Sequence, residues 1–225
     1  MDNHLKYMID TIKLEARDAA PWVGKADIDP RVLAAIAKVP RHEFVPPEMT
    51  YAAYEDGPLP IGHGQTISQP YIVALMTELL QPKLEDVVLE VGTGSGYQAA
   101  VLSLLVRRVY SIEAVKVLAE EAAARLKRLA YNNIETRWGD GYHGWTEHAP
   151  YDGIIVTAAA PAVPQPLMDQ LKPGGRLVVP VSSRLLGQDL LLVEKDKQGR
   201  IHQRSVLPVA FVPLIRLREA AVAEG

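Results

Sequence analysis

From residue 71 onward the chain alternates between two hydrophobic rhythms. "YIVALMTELLQ" (71–81) has a helical spacing that stops at Pro82, "VVLEVG" (87–92) is an apolar run of strand length, and "YQAAVLSLLV" (97–106) is helical again. The alternation continues with strand "RVYSIE" (108–113), helix "VKVLAEEAAARLKRLA" (115–130), strand "IETRWG" (134–139), strand "YDGIIVTA" (151–158) and helix "QPLMDQL" (165–171). Strands separated by helices imply right-handed crossovers and a parallel sheet with helices on both faces. The last third changes character. "GGRLVVPV" (174–181), "QDLLLVEKD" (188–196) and "IHQRSVLPVAFVPL" (201–214) are strands joined by turns such as "KQGR", which predicts an antiparallel C-terminal edge. The predicted class is α/β: a doubly wound, Rossmann-like, mostly parallel sheet.

The first 70 residues do not share this rhythm. "HLKYMIDTIKLEARD" (4–18) spaces Leu5, Met8, Ile9, Ile12 and Leu14 as a short amphipathic helix. "IDPRVLAAIAKVP" (28–40) offers Asp29 as N-cap, Pro30 at the first helical position, and Val32, Leu33, Ile36 and Ala37 on one face before Pro40. Residues 40–70 are rich in proline and glycine and hold no period, which predicts a long loop with turns around "EDGPLPIGHG". Loops of that length in compact domains tend to be functional or mobile. The whole of 1–225 is thus expected to be one domain, with an N-terminal helical and loop cap (1–70) on a core (71–225).

Composition narrows the classes. The chain has 225 residues, 48% hydrophobic and 23% charged, which suits a packed globular domain. With 24 Lys and Arg against 27 Asp and Glu the net charge is -3, which offers no broad attraction for nucleic acid. The absence of cysteine removes thiolate metal sites and cysteine nucleophiles. "MDNHLKYMID" lacks the apolar core of a signal peptide, and no apolar run approaches about 18 residues, so a cytoplasmic protein without membrane association is expected.

Candidate chemistry begins at "LEVGTGSGYQ" (89–98), where a strand passes through Gly92, Gly94 and Gly96 into a helix. Glycines there permit positive φ and let a ligand approach the backbone. A dinucleotide fingerprint would place its third glycine at position 97, which is Tyr97. Glu113, ending the next strand, suits a ribose diol. Glu90 would repel a pyrophosphate but attract the ammonium of an amino-acid tail. Both features permit S-adenosylmethionine; a turn serving only strand-to-helix geometry is the plain alternative. Asp140-Gly141 in "RWGDGYHGW" is first a turn signal, although at a strand's carboxyl end Asp140 could accept from an adenine amine and the Gly141 NH donate to a ring nitrogen.

"GQTISQP" (64–70) holds Ser68 just before a helix. Serine is a favoured N-cap. Pro70, however, disfavours helical angles at Gln69 and fits the first helical position, so Gln69 takes the cap slot and leaves the Ser68 hydroxyl less committed. His42 and His63 lack a partner at a metal-ligand spacing, and no metal is expected. Tyr51 and Tyr54 either cover a substrate or bury an aromatic from the loop.

"PLPIGHGQTISQPYIVALMTELL", "VLEVGTGSGYQAAVLS", "YDGIIVTAAAPAVPQPLMDQLKPGGRLVVPV" and the late "FVPL" closely resemble protein-L-isoaspartate (D-aspartate) O-methyltransferases, from about Val39 to Leu214. The resemblance implies a class I methyltransferase fold and transfer of a methyl group from S-adenosylmethionine to the free α-carboxylate of isoaspartyl residues in damaged proteins and peptides, leaving S-adenosylhomocysteine. It implies Ser68 as the active-site serine. Glu90, Gly92, Gly94, Gly96, Glu113, Asp140 and Gly141 correspond to cofactor positions, and Thr66, Ile67, Ser68, Val212, Pro213 and Leu214 to the substrate side. A monomer is expected. An NAD-dependent dehydrogenase, or a binding module without catalysis, would remain if cofactor selectivity or methyl transfer failed.

Overall fold

The computed structural model describes residues 3–183 and 187–217. Its N-terminal part opens with helix α1 (Asn3–Asp18), which buries the stripe Met8, Ile9, Ile12 and Ala16 and leaves Leu14 in solvent. A short helix α2 (Ala20–Val23) ends at Gly24 in the left-handed region. Helix α3 (Pro30–Lys38) starts as its sequence predicts, with the Asp29 side chain accepting from the Arg31 NH at 2.7 Å and Pro30 at the first position.

Residues 40–70 are more ordered than their composition predicts. Two 3-10 turns, Arg41–Phe44 and Pro47–Ala52, lead into an antiparallel hairpin of β1 (Leu59–Gly62) and β2 (Gln65–Ile67). Gly62, His63 and Gly64 all take positive φ at its tip. The strands are too short to show a period, and Pro60 within β1 hides them further. Helix α4 (Pro70–Leu80) follows with Gln69 as N-cap, Pro70 in the first turn and no side-chain cap.

The core alternates as predicted: β3 (Val87–Val91), α5 (Tyr97–Ser103), β4 (Arg108–Glu113), α6 (Lys116–Arg128), β5 (Ile134–Trp138), β6 (Tyr151–Val156), α7 (Gln165–Asp169), β7 (Leu171–Ser183), β8 (Gly187–Lys195) and β9 (Ile201–Val209). The seven strands β3 to β9 form one sheet in the order β5-β4-β3-β6-β7-β8-β9. Pairing is parallel from β5 through β7 and antiparallel for β7-β8 and β8-β9. The last strand is shorter than predicted. It ends at Val209, and residues 210–214 leave the sheet to cross the end of β6, where Ala159 NH donates to Val212 O and Leu214 NH to Ala159 O, both at 2.8 Å. The Gln188 side chain fixes this crossing, accepting from the Phe211 NH at 2.6 Å and donating to the Phe211 carbonyl at 3.0 Å.

Alternation along the strands divides the buried apolar residues between two faces. Val88, Val109, Ile155 and Val178 pack with Met8, Ile12, Ile36 and Phe44 of the cap, whereas Leu89, Val91, Ile112 and Ile154 pack on the opposite side with Leu167. The N-terminal elements therefore complete the cover of one face of the sheet. Among the described residues no helix is long and apolar enough to cross a membrane.

Candidate active site

The strand order reverses at β3, whose neighbours β4 and β6 lead to different crossovers, and a cleft opens at the carboxyl ends of these strands. Its empty volume is ≈ 700 Å³. Gly92 (φ +100) turns the chain at the end of β3, and a Cβ there would lie 2.4 Å from Thr157 Oγ1. That hydroxyl donates to the Gly92 carbonyl at 2.6 Å, so the two chain ends are pressed together and only glycine fits. Beyond it, the Gly94 NH donates to Glu113 Oε2 at 2.8 Å and the Val115 NH to Glu113 Oε1 at 2.9 Å. These bonds tie the end of β4 to the glycine turn and hold the Glu113 carboxyl against the cleft.

Glu90 also lines the cleft although it is fully buried. One carboxyl oxygen, Oε2, accepts from the Ser111 hydroxyl, while Oε1 is buried and has no hydrogen-bond partner among the described residues. Burial pushes its pKa up to about 8, against the lowering effect of the Ser111 bond. A buried carboxyl oxygen without a partner, with the Glu113 carboxyl nearby, is costly alone and well suited to an incoming ammonium.

The other candidates divide. Gly141 lines the cleft, but Asp140 does not: its Oδ1 caps the turn Gly141–His143 by accepting from the Tyr142 NH at 3.0 Å, and its Oδ2 pairs with Arg216 at 3.0 Å. Gly96 (φ +88) likewise stands outside the lining, starting α5 where a Cβ would meet Leu126 Cδ1 at 3.3 Å. Its glycine serves helix packing.

A second cavity, of ≈ 1050 Å³ empty volume, adjoins the first and is walled by α4, the end of β9 and the crossing segment. Thr66, Ser68, Thr157 and Val212 line both cavities. Ile67, Pro213 and Leu214, expected on the substrate side, line the first cavity instead. Ser68 lies two residues before α4, and its hydroxyl makes no hydrogen bond among the described residues. Its backbone is fixed from behind. The fully buried Arg41 donates to the carbonyls of Ser68 and Ala53, each at 2.8 Å, with its guanidinium carbon 4.8 Å from the centroid of the Tyr97 ring.

Among the described residues no Lys, Arg or His lines either cavity. Neutral hydroxyls and carboxyl groups can orient reacting groups that bring their own charges. His42 bonds through Nδ1 to the Tyr54 hydroxyl at 2.7 Å, and His63 occupies the exposed hairpin tip. Neither Tyr51 nor Tyr54 lines a cavity. Among the described residues no group of three His, Cys, Asp or Glu could hold a metal.

Sequence reasoning missed Thr157, Glu15 and Tyr71, each of which lines one or both cavities. Thr157 was within reach, since it follows β6 at the point where the sheet order reverses. Glu15 carried no local signal, because only the packing of α1 on α4 brings it to the cavity.

The model of the protein-L-isoaspartate (D-aspartate) O-methyltransferase family matches residues 25–219. Over 207 residues the chain is 62% identical to protein-L-isoaspartate O-methyltransferase 2 of Syntrophobacter fumaroxidans, covering 92% of this chain and 84% of the relative. It is 56% identical over 214 residues to protein-L-isoaspartate O-methyltransferase 2 of Nitrosococcus oceani, covering 95% and 97%. Among solved structures it is similar to a protein-L-isoaspartate O-methyltransferase at TM-score 0.78 and 30% identity, covering 91% of this chain and 65% of that one. A Plasmodium falciparum protein of the same description, in complex with S-adenosyl-L-homocysteine, superposes at TM-score 0.77 with 26% identity, covering 96% of this chain and 99% of its own.

Proposed function

The chain belongs to the protein-L-isoaspartate (D-aspartate) O-methyltransferase family, and from that premise we propose that Ser68 presents the substrate carboxylate to the cofactor where the two cavities meet. The enzyme transfers a methyl group from S-adenosylmethionine to the free α-carboxylate of L-isoaspartyl and D-aspartyl residues in proteins and peptides. The methyl ester collapses to a succinimide, which begins repair. The observation that carries the role of Ser68 is its hydroxyl, which has no hydrogen-bond partner among the described residues, in the wall shared by both cavities.

In this reading the first cavity holds the cofactor. Glu90 Oε1 receives the ammonium, whose proximity favours the ionised carboxylate that burial otherwise disfavours. Glu113 receives the ribose diol, kept in place by the NH groups of Gly94 and Val115. Gly92, Gly94 and Gly141 keep the walls free of side chains, and Gly96 acts by setting the start of α5. Asp140 contributes from behind, since its carboxylate fixes the turn that presents Gly141. When bound, S-adenosylmethionine supplies a methyl group on a positively charged sulfur.

The second cavity holds the peptide. An aspartate-like carboxylate has a pKa near 4 and is ionised at pH 7, so its attack needs no base. Ser68 donates one hydrogen bond to the oxygen that does not attack, and Thr66 and Val212 confine the approach. Proximity and alignment supply the remaining advantage, in favourable cases about 7 to 11 kcal/mol. One neutral donor orients the anion without quenching it. We read the protein as a cytoplasmic monomer; the net charge of -3 and the acids that line the cavities around Ser68 offer no attraction for nucleic acid.

The deciding experiment follows labelled methyl transfer to matched peptides that differ only in carrying isoaspartate or aspartate. The isoaspartyl peptide is expected to take the label and the aspartyl peptide to stay at background; equal labelling of both, or of neither, defeats the reading.

A further inference from the structure

The peptide cavity carries one charged lining residue, Glu15, and it is an acid. That is an awkward feature in a groove that must admit a carboxylate. Glu15 is not alone. Gln69, next to Ser68, donates through one amide nitrogen to Asp56 Oδ2 at 2.9 Å and toward Glu15 Oε2 at 3.4 Å, so the two carboxyl groups share one donor. Asp56 Oδ1 is buried and has no hydrogen-bond partner. Burial raises the Glu15 pKa first, followed by the repulsion of Asp56, by the hydrogen bond that a protonated Glu15 can share with the Asp56 carboxyl and by the repulsion of Asp18, against the lowering effect of Gln69. Neither Glu15 nor Asp56 forms an ion pair among the described residues. The nearby cation, the fully buried Arg41, donates to the carbonyls of Ala53 and Ser68, keeps one Nη without a hydrogen-bond partner among the described residues, and acts electrostatically on Asp56, so it offsets part of the charge of that acid without pairing with Glu15.

A second observation is independent of the acids. Tyr71, in the first turn of α4, is 3% exposed and lines the same cavity, yet its hydroxyl has no hydrogen-bond partner. A buried phenol without a partner costs roughly 1–3 kcal/mol and is tolerated where a ligand completes it. The Glu15 carboxyl and the Tyr71 phenol, which line the cavity with spare acceptor capacity and with no described cation in its wall, match an ammonium or guanidinium group, and Asp56 adds its charge from behind Glu15.

We propose that Glu15 and Tyr71, backed by Asp56, form a cation subsite in the wall of the peptide groove, which takes a lysine or arginine side chain, or a peptide's terminal ammonium, near the isoaspartyl residue. It rests on the reading of the second cavity as the peptide site. The cation offsets the repulsion between these acids and the substrate's own carboxylate, so a flanking positive charge improves capture of the damaged residue. Peptides with a flanking acid are excluded for the same reason.

The test measures kcat/KM for isoaspartyl peptides in which a lysine, a norleucine or a glutamate is moved through each of about four positions on either side of the isoaspartyl residue. At one position or a short run of them, lysine is expected to exceed norleucine by about fivefold or more, with glutamate below both. The advantage should shrink as salt rises. In Glu15→Gln and in Asp56→Asn, the lysine-to-norleucine ratio should fall toward one. Equal rates for lysine and norleucine at every position overturn the subsite, as does an undiminished lysine advantage in both variants. If no peptide accepts methyl groups while S-adenosylhomocysteine still binds, the peptide-groove reading itself fails and takes the subsite with it.

Discussion

Ser68 owes its free hydroxyl to the residue two places after it. Pro70 starts α4 and makes Gln69 the N-cap, and the Gln69 side chain turns away to Asp56 and Glu15 instead of capping. Because Ser68 supports no helix, Ser68→Ala should leave the melting temperature and the affinity for S-adenosylhomocysteine nearly unchanged. Loss of one hydrogen bond to a carboxylate should still lower kcat/KM for isoaspartyl peptides by roughly tenfold to a hundredfold. A comparable loss of stability would assign the serine to structure. Glu90 gives a pH-dependent prediction. Its pKa is about 8 in the fold against 4.5 unfolded, so between these values the unfolded chain releases a proton that the fold retains. Stability of the ligand-free enzyme is therefore lost as pH rises through that window, and the loss levels off above the folded pKa. Glu90→Gln removes the penalty: its melting temperature should match that of the parent near pH 4.5 and exceed it by a few degrees at pH 8, while cofactor affinity falls. A gap that does not grow with pH would contradict this.

At the scale of elements, the most constrained contact joins the end of β3 to the residue after β6. Gly92→Ala would set a Cβ against the Thr157 hydroxyl at φ +100, and we expect it to lower the melting temperature and abolish binding of S-adenosylhomocysteine. Adding Thr157→Ala should recover only part of the stability, since the unfavourable φ remains, at a cost of about 1 kcal/mol or more. Full recovery, measured by thermal melts of the single and double variants, would show that the clash alone matters. The helices and strands of the core were legible because their buried residues follow the period of each element, as in α6 with Leu118, Ala122 and Leu126. The hairpin β1-β2 was not, because strands of four and three residues contain too few positions to display alternation. The end of β9 was misread for a related reason. "AFVPL" remains apolar after the strand stops, since it covers the cavities rather than pairing in the sheet.

On the scale of the whole molecule, the cap and the sheet share one apolar cluster that joins Met8, Ile36 and Phe44 to Val88, Val109 and Val178. We therefore expect residues 1–225 to unfold as one unit, and calorimetry should record a single transition with matching calorimetric and van't Hoff enthalpies; two separated transitions would split the cap from the core. Ser68 as the candidate serine followed from the family resemblance; by itself the sequence determined the α/β alternation, the antiparallel edge, and the glycine turn with Glu90 and Glu113. These depend on hydrophobic period, on backbone freedom and on spacing along the chain, all of which are local. Only the tertiary structure decided which candidates face the cavities. It turned Asp140 toward Arg216, assigned Gly96 to packing against Leu126, and brought Glu15 from α1 to within reach of Gln69. The reason is that hydrophobic period fixes which face of an element is buried, whereas the neighbour it meets there is set by how distant elements pack.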